Sequence, residues 1–163
     1  MTAQTIVLEL TRIEAAHLGD LVAQFGDLLD ATASPQDDPA VARLVPAEYE
    51  DAASADEFRR LTQDDLLARR TADVAVVLDS LRDEGVLPDP ADLPDDAATS
   101  AHAVVLSPES ALAWMRTLSA LRLVIATRLG IVDEDEHDHD DPRFGVYDWI
   151  GFRLDGLVQA LEA

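Results

Sequence analysis

The chain has 163 residues, 48% of them hydrophobic, which predicts that residues 1–163 form a single domain with an ordinary core. Its 33 acidic residues outnumber 12 basic ones, all Arg, and the net charge of -21 disfavours binding to nucleic acids or anionic membranes. The chain lacks Cys, a basic leader and any apolar run near the ~20 residues of a membrane span, so we expect a cytoplasmic protein without disulfides or thiolate metal sites.

The amino-terminal segment predicts a strand followed by a helix. Residues 5–10 are rich in β-branched and apolar side chains and are too short for a helix. Thr11 and Glu14 form a capping box, and apolar residues then recur at helical spacing to Leu29. One side of this helix carries small residues that favour the close approach of a neighbouring element: Ala15, Gly19, Ala23 and Gly26.

Two further helices are predicted before the middle of the chain. Asp38 and Pro39 suit the N-cap and first position of a short helix. Ser54 and Glu57 form a second capping box, which opens about 30 helical residues in one piece or two. Residues 85–100 are rich in Pro and Asp, so we expect a loop there.

The second half of the chain repeats the order of strand, cap and helix. Residues 102–107 predict a strand that pairs with the first one in a two-stranded ribbon. Ser107 and Pro108 then open a helix that ends at Gly130. Because this helix is apolar nearly all round, we expect it to be the buried centre of a mainly α bundle, with Trp114 in the core.

A final helix is predicted over residues 144–161. Its core stripe is expected to be Val146, Ile150, Leu154, Leu157, Val158 and Leu161. Trp149 and Phe152 lie off this stripe, and aromatic residues are enriched in protein interfaces, so they are our candidate interface residues. The alternatives are a monomer that covers them with its own chain and a homodimer.

The acidic run at residues 133–141, D-E-D-E-H-D-H-D-D, is interpreted as a solvated loop. An EF-hand loop starting at Asp133 would need Gly and Glu where the chain has Asp138 and Phe144. A His-x-His pair in a flexible loop holds zinc or nickel only weakly without supporting residues. We therefore expect no metal site.

No catalytic motif is recognisable, and we expect no catalytic residue and no cofactor. Ser107 fits a helix cap and lies outside any G-x-S-x-G elbow, and the seven Gly form neither a Walker A motif nor a dinucleotide fingerprint. Arg116, Arg122 and Arg128 lie on the expected central helix, where structural ion pairs are the first interpretation. The alternative is an anion-binding pocket lined by these three Arg.

Five motifs, in this order, resemble the actinobacterial family catalogued as domain of unknown function twenty-seventeen. They are D-P-A-V-A-R-L-V-P-A-E-Y at residues 38–49, E-F-R-R-L-T at 57–62, A-W-M-R-T-L-S-A-L-R-L at 113–123, R-L-G-I at 128–131 and V-Y-D-W-I at 146–150. The resemblance implies a small cytoplasmic protein, often encoded beside the ClpS adaptor, with no assigned catalytic residues. The chain departs from the family pattern at Ser119, where Asn is common, and at residues 151–154, where a Gln is usual.

The resulting expectation is a non-enzymatic interaction or regulatory protein with an unidentified protein partner. A link to Clp-dependent proteolysis is implied by the family's gene neighbourhood alone. One alternative is a small helical enzyme or anion-binding protein that uses the three Arg. Another is a transcriptional regulator, which the net charge of -21 disfavours.

Overall fold

The computed structural model describes residues 4–32, 37–45, 54–131 and 137–163, with residues 54–61 described by their backbone only. Strand β1 spans Ile6–Thr11 and leads directly into helix α1, Arg12–Ala31. The later elements are α2 (Pro39–Ala42), α3 (Ser54–Leu81), α4 (Asp95–Ala98), β2 (Ala101–Leu106), α5 (Pro108–Leu129) and α6 (Gly145–Glu162). The mainly α architecture with a small ribbon is confirmed.

The ribbon consists of β1 and β2, which pair in antiparallel fashion from Ile6 opposite Leu106 to Thr11 opposite Ala101. One face packs on the helices, and its buried residues are Ile6, Leu10, Val104 and Leu106. On the other face Val7 lies directly opposite Val105, and both side chains are more than half exposed. The ribbon thus contributes one face to the core and presents an apolar pair to solvent.

Helix α5 is the centre of the bundle, as its composition predicts. It contacts α2, α3 and α6, and Trp114 is only 1% exposed. Ser107 caps the helix, its hydroxyl accepting from the Ser110 N–H at 3.1 Å, and Gly130 ends it with a left-handed backbone, φ 74°. Among the described helices, none has both the length and the apolar character needed to cross a membrane.

Helix α1 packs against α3 through the predicted small-residue side. A Cβ atom placed on Gly26 would lie 3.2 Å from Cγ1 of Val74, and one on Gly19 would lie 3.7 Å from Cδ1 of Leu81, the last residue of α3. The predicted capping box is present, because the Glu14 N–H donates to the Thr11 hydroxyl while the Thr11 N–H donates to the Glu14 carboxylate. The predicted cap of α2 is also confirmed, with the Ala40 N–H donating to Asp38 at 2.8 Å.

The middle of the chain follows the prediction for α3 and departs from the predicted loop in the segment after that helix. Helix α3 is continuous and ends at Leu81, and the Ser54 and Glu57 side chains lie outside the described residues. The segment predicted as loop holds the short helix α4, whose first turn begins with Asp95 and Asp96, where carboxylates stabilise a helix terminus. A helical turn of four residues therefore interrupts the predicted loop.

The predicted core stripe of α6 is wrong at Val146, which is 45% exposed. Tyr147 is buried in its place, together with Ile150 and Leu157. The Tyr147 ring packs against α5, where the guanidinium carbon of Arg122 lies 3.9 Å from the ring centre. Tyr147, Ile150 and Leu157 lie at helical spacing, so Tyr147 and not Val146 begins the buried side of α6.

Candidate functional site

The three Arg of α5 do not converge on one pocket. Arg116 makes a two-pronged ion pair with Asp73 of α3, at 2.8 and 3.0 Å, and Arg128 pairs with Asp38 at 2.6 Å. These hydrogen bonds raise the pKa of both guanidinium groups, so they stay charged. Each of these two cations therefore ties α5 to a neighbouring segment.

Arg122 has a packing role on α6. Its Nε donates to the Tyr147 carbonyl at 3.3 Å, and its guanidinium lies over the Tyr147 ring. A Cβ atom on Gly151 would lie 2.9 Å from that Nε, so the absence of a side chain there makes room for the guanidinium. The departure from the family pattern at residues 151–154 includes this glycine.

Arg70 of α3 is a cation that sequence reasoning did not single out. It lines a cavity of about 670 Å³ together with Arg69, Asp73 and Arg116. Burial lowers the pKa of Arg70, an effect that Asp73 opposes, and its Nε has no hydrogen-bond partner in the described part of the chain. Among the described residues that line this cavity, Asp73 is the one acidic residue, and it is already paired with Arg116. The three Arg side chains of the lining therefore carry more positive charge than Asp73 neutralises.

The candidate interface residues of α6 have different surroundings. The Trp149 indole N–H donates to Glu14 Oε2 at 2.9 Å, so α1 partly covers this ring. Phe152 is 67% exposed. The structure therefore separates the two residues, with Trp149 held within the chain and Phe152 open to solvent.

Phe152 borders a groove between β1 and α6, which we call the β1–α6 groove. It encloses about 590 Å³ and is lined by Val7, Leu8, Glu9, Phe152, Arg153, Asp155, Gly156, Gln159 and Ala160. Phe152, Gly156 and Ala160 repeat at four-residue spacing and so lie on one side of α6. A Cβ atom on Gly156 would meet nothing within 4 Å. Small residues thus leave the groove open beside an exposed ring.

The β1 backbone faces this groove. Arg153 of α6 donates to the Glu9 carbonyl at 3.2 Å, which shows that Glu9 points its backbone groups away from β2. Backbone direction alternates along a strand in an antiparallel pair, so the N–H and C=O of Val7 point the same way. Beyond the ribbon, no backbone partner of Val7 occurs among the described residues. Strand β1 therefore offers a pairing edge inside the groove.

The second half of the acidic run forms an ordered cluster on α6. His137 Nε2 lies 2.6 Å from Asp148 Oδ1, and His139 Nδ1 lies 3.2 Å from Asp148 Oδ2. Burial acts to raise the pKa of Asp148, but hydrogen bonds from both imidazoles outweigh it and lower the pKa. The side chain of His137 is 3% exposed and packs against Phe144 and Tyr147, so the prediction of a solvated loop is wrong for this residue.

A family model described as Domain of unknown function (DUF2017) matches residues 1–161. The chain belongs to this family. Neither the curated proteins nor the solved structures include a match to it. The family description assigns no activity, so the described geometry must carry any functional argument.

Two features of this DUF2017 chain were missed by sequence reasoning for identifiable reasons. Arg70 lies in a helix with weak amphipathic character, and no sequence signal distinguished it from the exposed Arg69. The partner of His137 and His139 is Asp148, nine residues beyond His139 and within a different element. Placing Asp148 beneath the histidines required the start of α6, where a short turn at Pro142–Phe144 brings the loop back onto the helix.

Proposed function

We propose that this chain is a non-enzymatic protein-binding domain that binds an extended segment of a partner protein in the β1–α6 groove. The observation that carries the proposal is the outward-facing backbone of Val7 beside the open space at Gly156, with the neighbouring Glu9 carbonyl already held by Arg153. A strand edge next to a helix is a recurrent way to bind extended peptides, because the backbone pairs supply affinity and the side-chain pockets supply specificity.

The lining of the groove indicates the kind of segment that fits. Val7 and Phe152 are both more than half exposed and offer apolar contacts to alternate side chains of an added strand. Glu9 and Asp155 supply negative charge, the one basic residue of the described lining, Arg153, is paired with Glu14, and the whole chain has a net charge of -21. The expected ligand is therefore an extended segment that combines apolar with basic residues, since an acidic one is repelled.

A second copy of the chain is a poor occupant of the groove, because two chains of charge -21 repel each other. Nucleic acid is disfavoured by the same charge. The gene neighbourhood that the family resemblance implies makes the components of Clp proteolysis the first protein partners to test. This link rests on neighbourhood and adds nothing to the geometric argument.

The test uses two glycines of α6. A library of random extended peptides is selected on the wild-type protein, and the affinities of the enriched peptides are measured for Gly156→Leu and Gly145→Leu. Neither Cβ position meets an atom within 4 Å, so both variants are expected to fold, but only residue 156 lines the β1–α6 groove. We expect Gly156→Leu to weaken binding at least about tenfold, which corresponds to about 1.4 kcal/mol. We expect Gly145→Leu to leave the affinity unchanged.

Amide exchange gives an independent readout of the binding mode. Binding by strand addition slows exchange of the Val7 N–H, which faces the groove, with little change at Leu8, which already pairs with β2. Equal binding by the two glycine variants, or enriched peptides that protect no β1 amide, would count against the proposal.

A second candidate function is anion binding in the cavity at Arg70. The supporting observation is that Arg70 lines this cavity with Arg116 and has an unpartnered Nε, while the nearby Asp73 is engaged by Arg116. Inorganic phosphate is titrated into wild-type protein and Arg70→Met, with Arg82→Met as the control on an exposed Arg just beyond α3 that does not line the cavity. Saturable binding lost only in Arg70→Met supports this function, and identical titrations exclude it.

A further inference from the structure

We propose that His137, His139 and Asp148 form a binding site for one divalent transition-metal ion. The three side chains present ligand atoms that all lie within 4.8 Å of one another. Both imidazoles direct a nitrogen at the same carboxylate, at 2.6 and 3.2 Å. A metal ion between them needs nitrogen and oxygen ligands at about 2.0–2.2 Å, so modest side-chain movements convert the hydrogen-bonded cluster into a coordination shell.

The donor set selects the class of ion. Two imidazoles and one carboxylate suit Zn²⁺, Ni²⁺, Co²⁺ or Fe²⁺, whereas Mg²⁺ and Ca²⁺ prefer a shell of oxygen atoms. Three protein ligands leave the remaining coordination positions to water or to a further ligand. Since the chain contains no Cys, no thiolate competes for the ion.

The cluster has the rigid support that the isolated His-x-His pattern lacks. Asp148 is in the first turn of α6, and the His137 ring is held edge-on against the Phe144 and Tyr147 rings, with centroid distances of 5.0 and 5.1 Å. His139 is 70% exposed and can adjust to complete the shell. Two fixed ligands and one adjustable ligand allow an ion to enter from solvent and then be enclosed.

The burial of His137 is the independent observation that points to a ligand. This residue is 9% exposed, and within the described residues its Nδ1 makes no hydrogen bond. Burying an imidazole is costly, and the nitrogen that His137 directs into the cluster is Nε2, whose partner is the Asp148 carboxylate. Coordination of Nε2 to a cation would replace its hydrogen bond to Asp148 with a stronger interaction and so hold the buried ring at the site.

Electrostatics also favour a cation at this position. Asp138 and Asp140 flank the exposed His139, and the net charge of the chain is -21. A negative field raises the local concentration of divalent ions, although such a field does not discriminate between them. Selectivity must therefore come from the two imidazole nitrogens, and this is what the experiment measures.

The test begins with wild-type protein freed of metal by chelator and dialysis, and titrated with Zn²⁺ by calorimetry at pH 7. The main variant is His139→Ala, because an exposed side chain can be removed without disturbing the fold, and the control is His17→Ala, an exposed histidine of α1. We expect one ion per chain, affinity lowered at least about tenfold by His139→Ala, and no change in His17→Ala.

Imidazole nitrogen resonances identify the ligands directly. Zn²⁺ is expected to shift the nitrogens of His137 and His139 and to leave those of His17 and His102 in place. Three results would overturn the proposal: no stoichiometric binding, equal affinity in wild type and His139→Ala, or Mg²⁺ binding as tightly as Zn²⁺. The last two would assign the ion to exposed carboxylates.

Asp148→Asn provides a second variant of similar shape. It removes the charge and one acceptor oxygen, so we expect weaker Zn²⁺ binding than in wild type. The outcome is independent of the β1–α6 groove, because none of the three proposed ligands lines it. Peptide binding and metal binding can therefore succeed or fail separately.

Discussion

The indole N–H of Trp149 donates a hydrogen bond to Oε2 of Glu14 at 2.9 Å, and so connects α6 to the first turn of α1. The same oxygen accepts from Arg153, while Oε1 accepts from the Thr11 N–H of the capping box. One carboxylate thus joins the end of β1, the start of α1 and the middle of α6. Glu14, which completes the capping box of α1, therefore also contributes to the docking of α6.

Glu14→Gln is expected to lower the free energy of unfolding by roughly 1.5 to 3 kcal/mol at pH 7, as for hydrogen bonds to charged groups. Burial acts to raise the pKa of Glu14, but hydrogen bonds from Arg153, Trp149 and Thr11 outweigh it and lower the pKa below 4.5. The carboxylate therefore stabilises the fold at pH values above about 4.5, and this contribution is lost as the pH falls through the folded-state pKa.

Denaturant titrations at several pH values test this expectation. The difference in stability between wild type and Glu14→Gln is expected to be largest near neutral pH and to shrink in acid. Glu162→Gln, which changes an exposed residue at the end of α6, serves as the control. A difference that stays constant down to low pH would contradict the role assigned to the charge.

Trp114→Ala is expected to destabilise the protein by about 3 to 5 kcal/mol, the usual range for truncating a buried aromatic residue. Trp114 is 1% exposed at the centre of α5, and its Nε1 makes no hydrogen bond within the described residues. Trp114→Phe therefore loses volume but no hydrogen bond, and we expect a smaller loss. Thermal unfolding of both variants checks this order, and an unchanged midpoint for Trp114→Ala would remove Trp114 from the core.

The two glycines of α1 are expected to respond differently to alanine. Replacing a mid-helix Gly with Ala gains up to about 1 kcal/mol of helix propensity. At Gly19 the nearest atom to the added Cβ is at 3.4 Å, on the flexible side chain of Leu87, so we expect a gain. At Gly26 it is Cγ1 of the buried Val74, at 3.2 Å, so we expect no gain or a loss. Equal stabilisation by both changes would show that α1 and α3 pack less closely.

Local signals made most of the fold predictable from sequence. The capping box at Thr11, the Ser107 cap and the near-continuous apolar surface of α5 each depend on residues close in the chain, and all three appear in the structure. The orientation of α6 was not predictable in the same way. Val146 and Tyr147 both lie at helical spacing from Ile150, and what distinguishes Tyr147 is its contact with Arg122, 25 residues away in the chain.

The candidate sites show the same division between local and long-range information. Arg116 and Arg128 could be expected to form ion pairs because a charge on a central helix needs a partner, but their partners Asp73 and Asp38 lie 43 and 90 residues away. The β1–α6 groove joins opposite ends of the chain, so no local pattern contains it. Phe152 alone was visible in the sequence, as an aromatic residue outside the core stripe.

His137→Ala is expected to destabilise the metal-free protein by about 1 to 3 kcal/mol, whereas His139→Ala is expected to stay within about 0.5 kcal/mol of wild type. The reason is the difference in burial, since the His137 side chain is 3% exposed and that of His139 is 70% exposed. Chemical unfolding in the presence of a chelator measures both values. If both changes lowered the free energy of unfolding equally little, the His137 side chain would be as exposed to solvent as that of His139.

Self-association is the remaining question for the aromatic residues of α6, and we expect the chain to be a monomer at high micromolar concentration. Trp149 is partly covered by α1 of its own chain through Glu14, whereas Val146 and Phe152 of α6 and the outer ribbon pair Val7 and Val105 are exposed. Association of two such surfaces brings together two chains of charge -21, a cost that screening by salt reduces. Sedimentation of wild type and Phe152→Ser at low and high salt tests this balance. Equal monomeric masses are expected at low salt, whereas a wild-type dimer that Phe152→Ser converts to a folded monomer would assign the β1–α6 groove to a second copy of the chain.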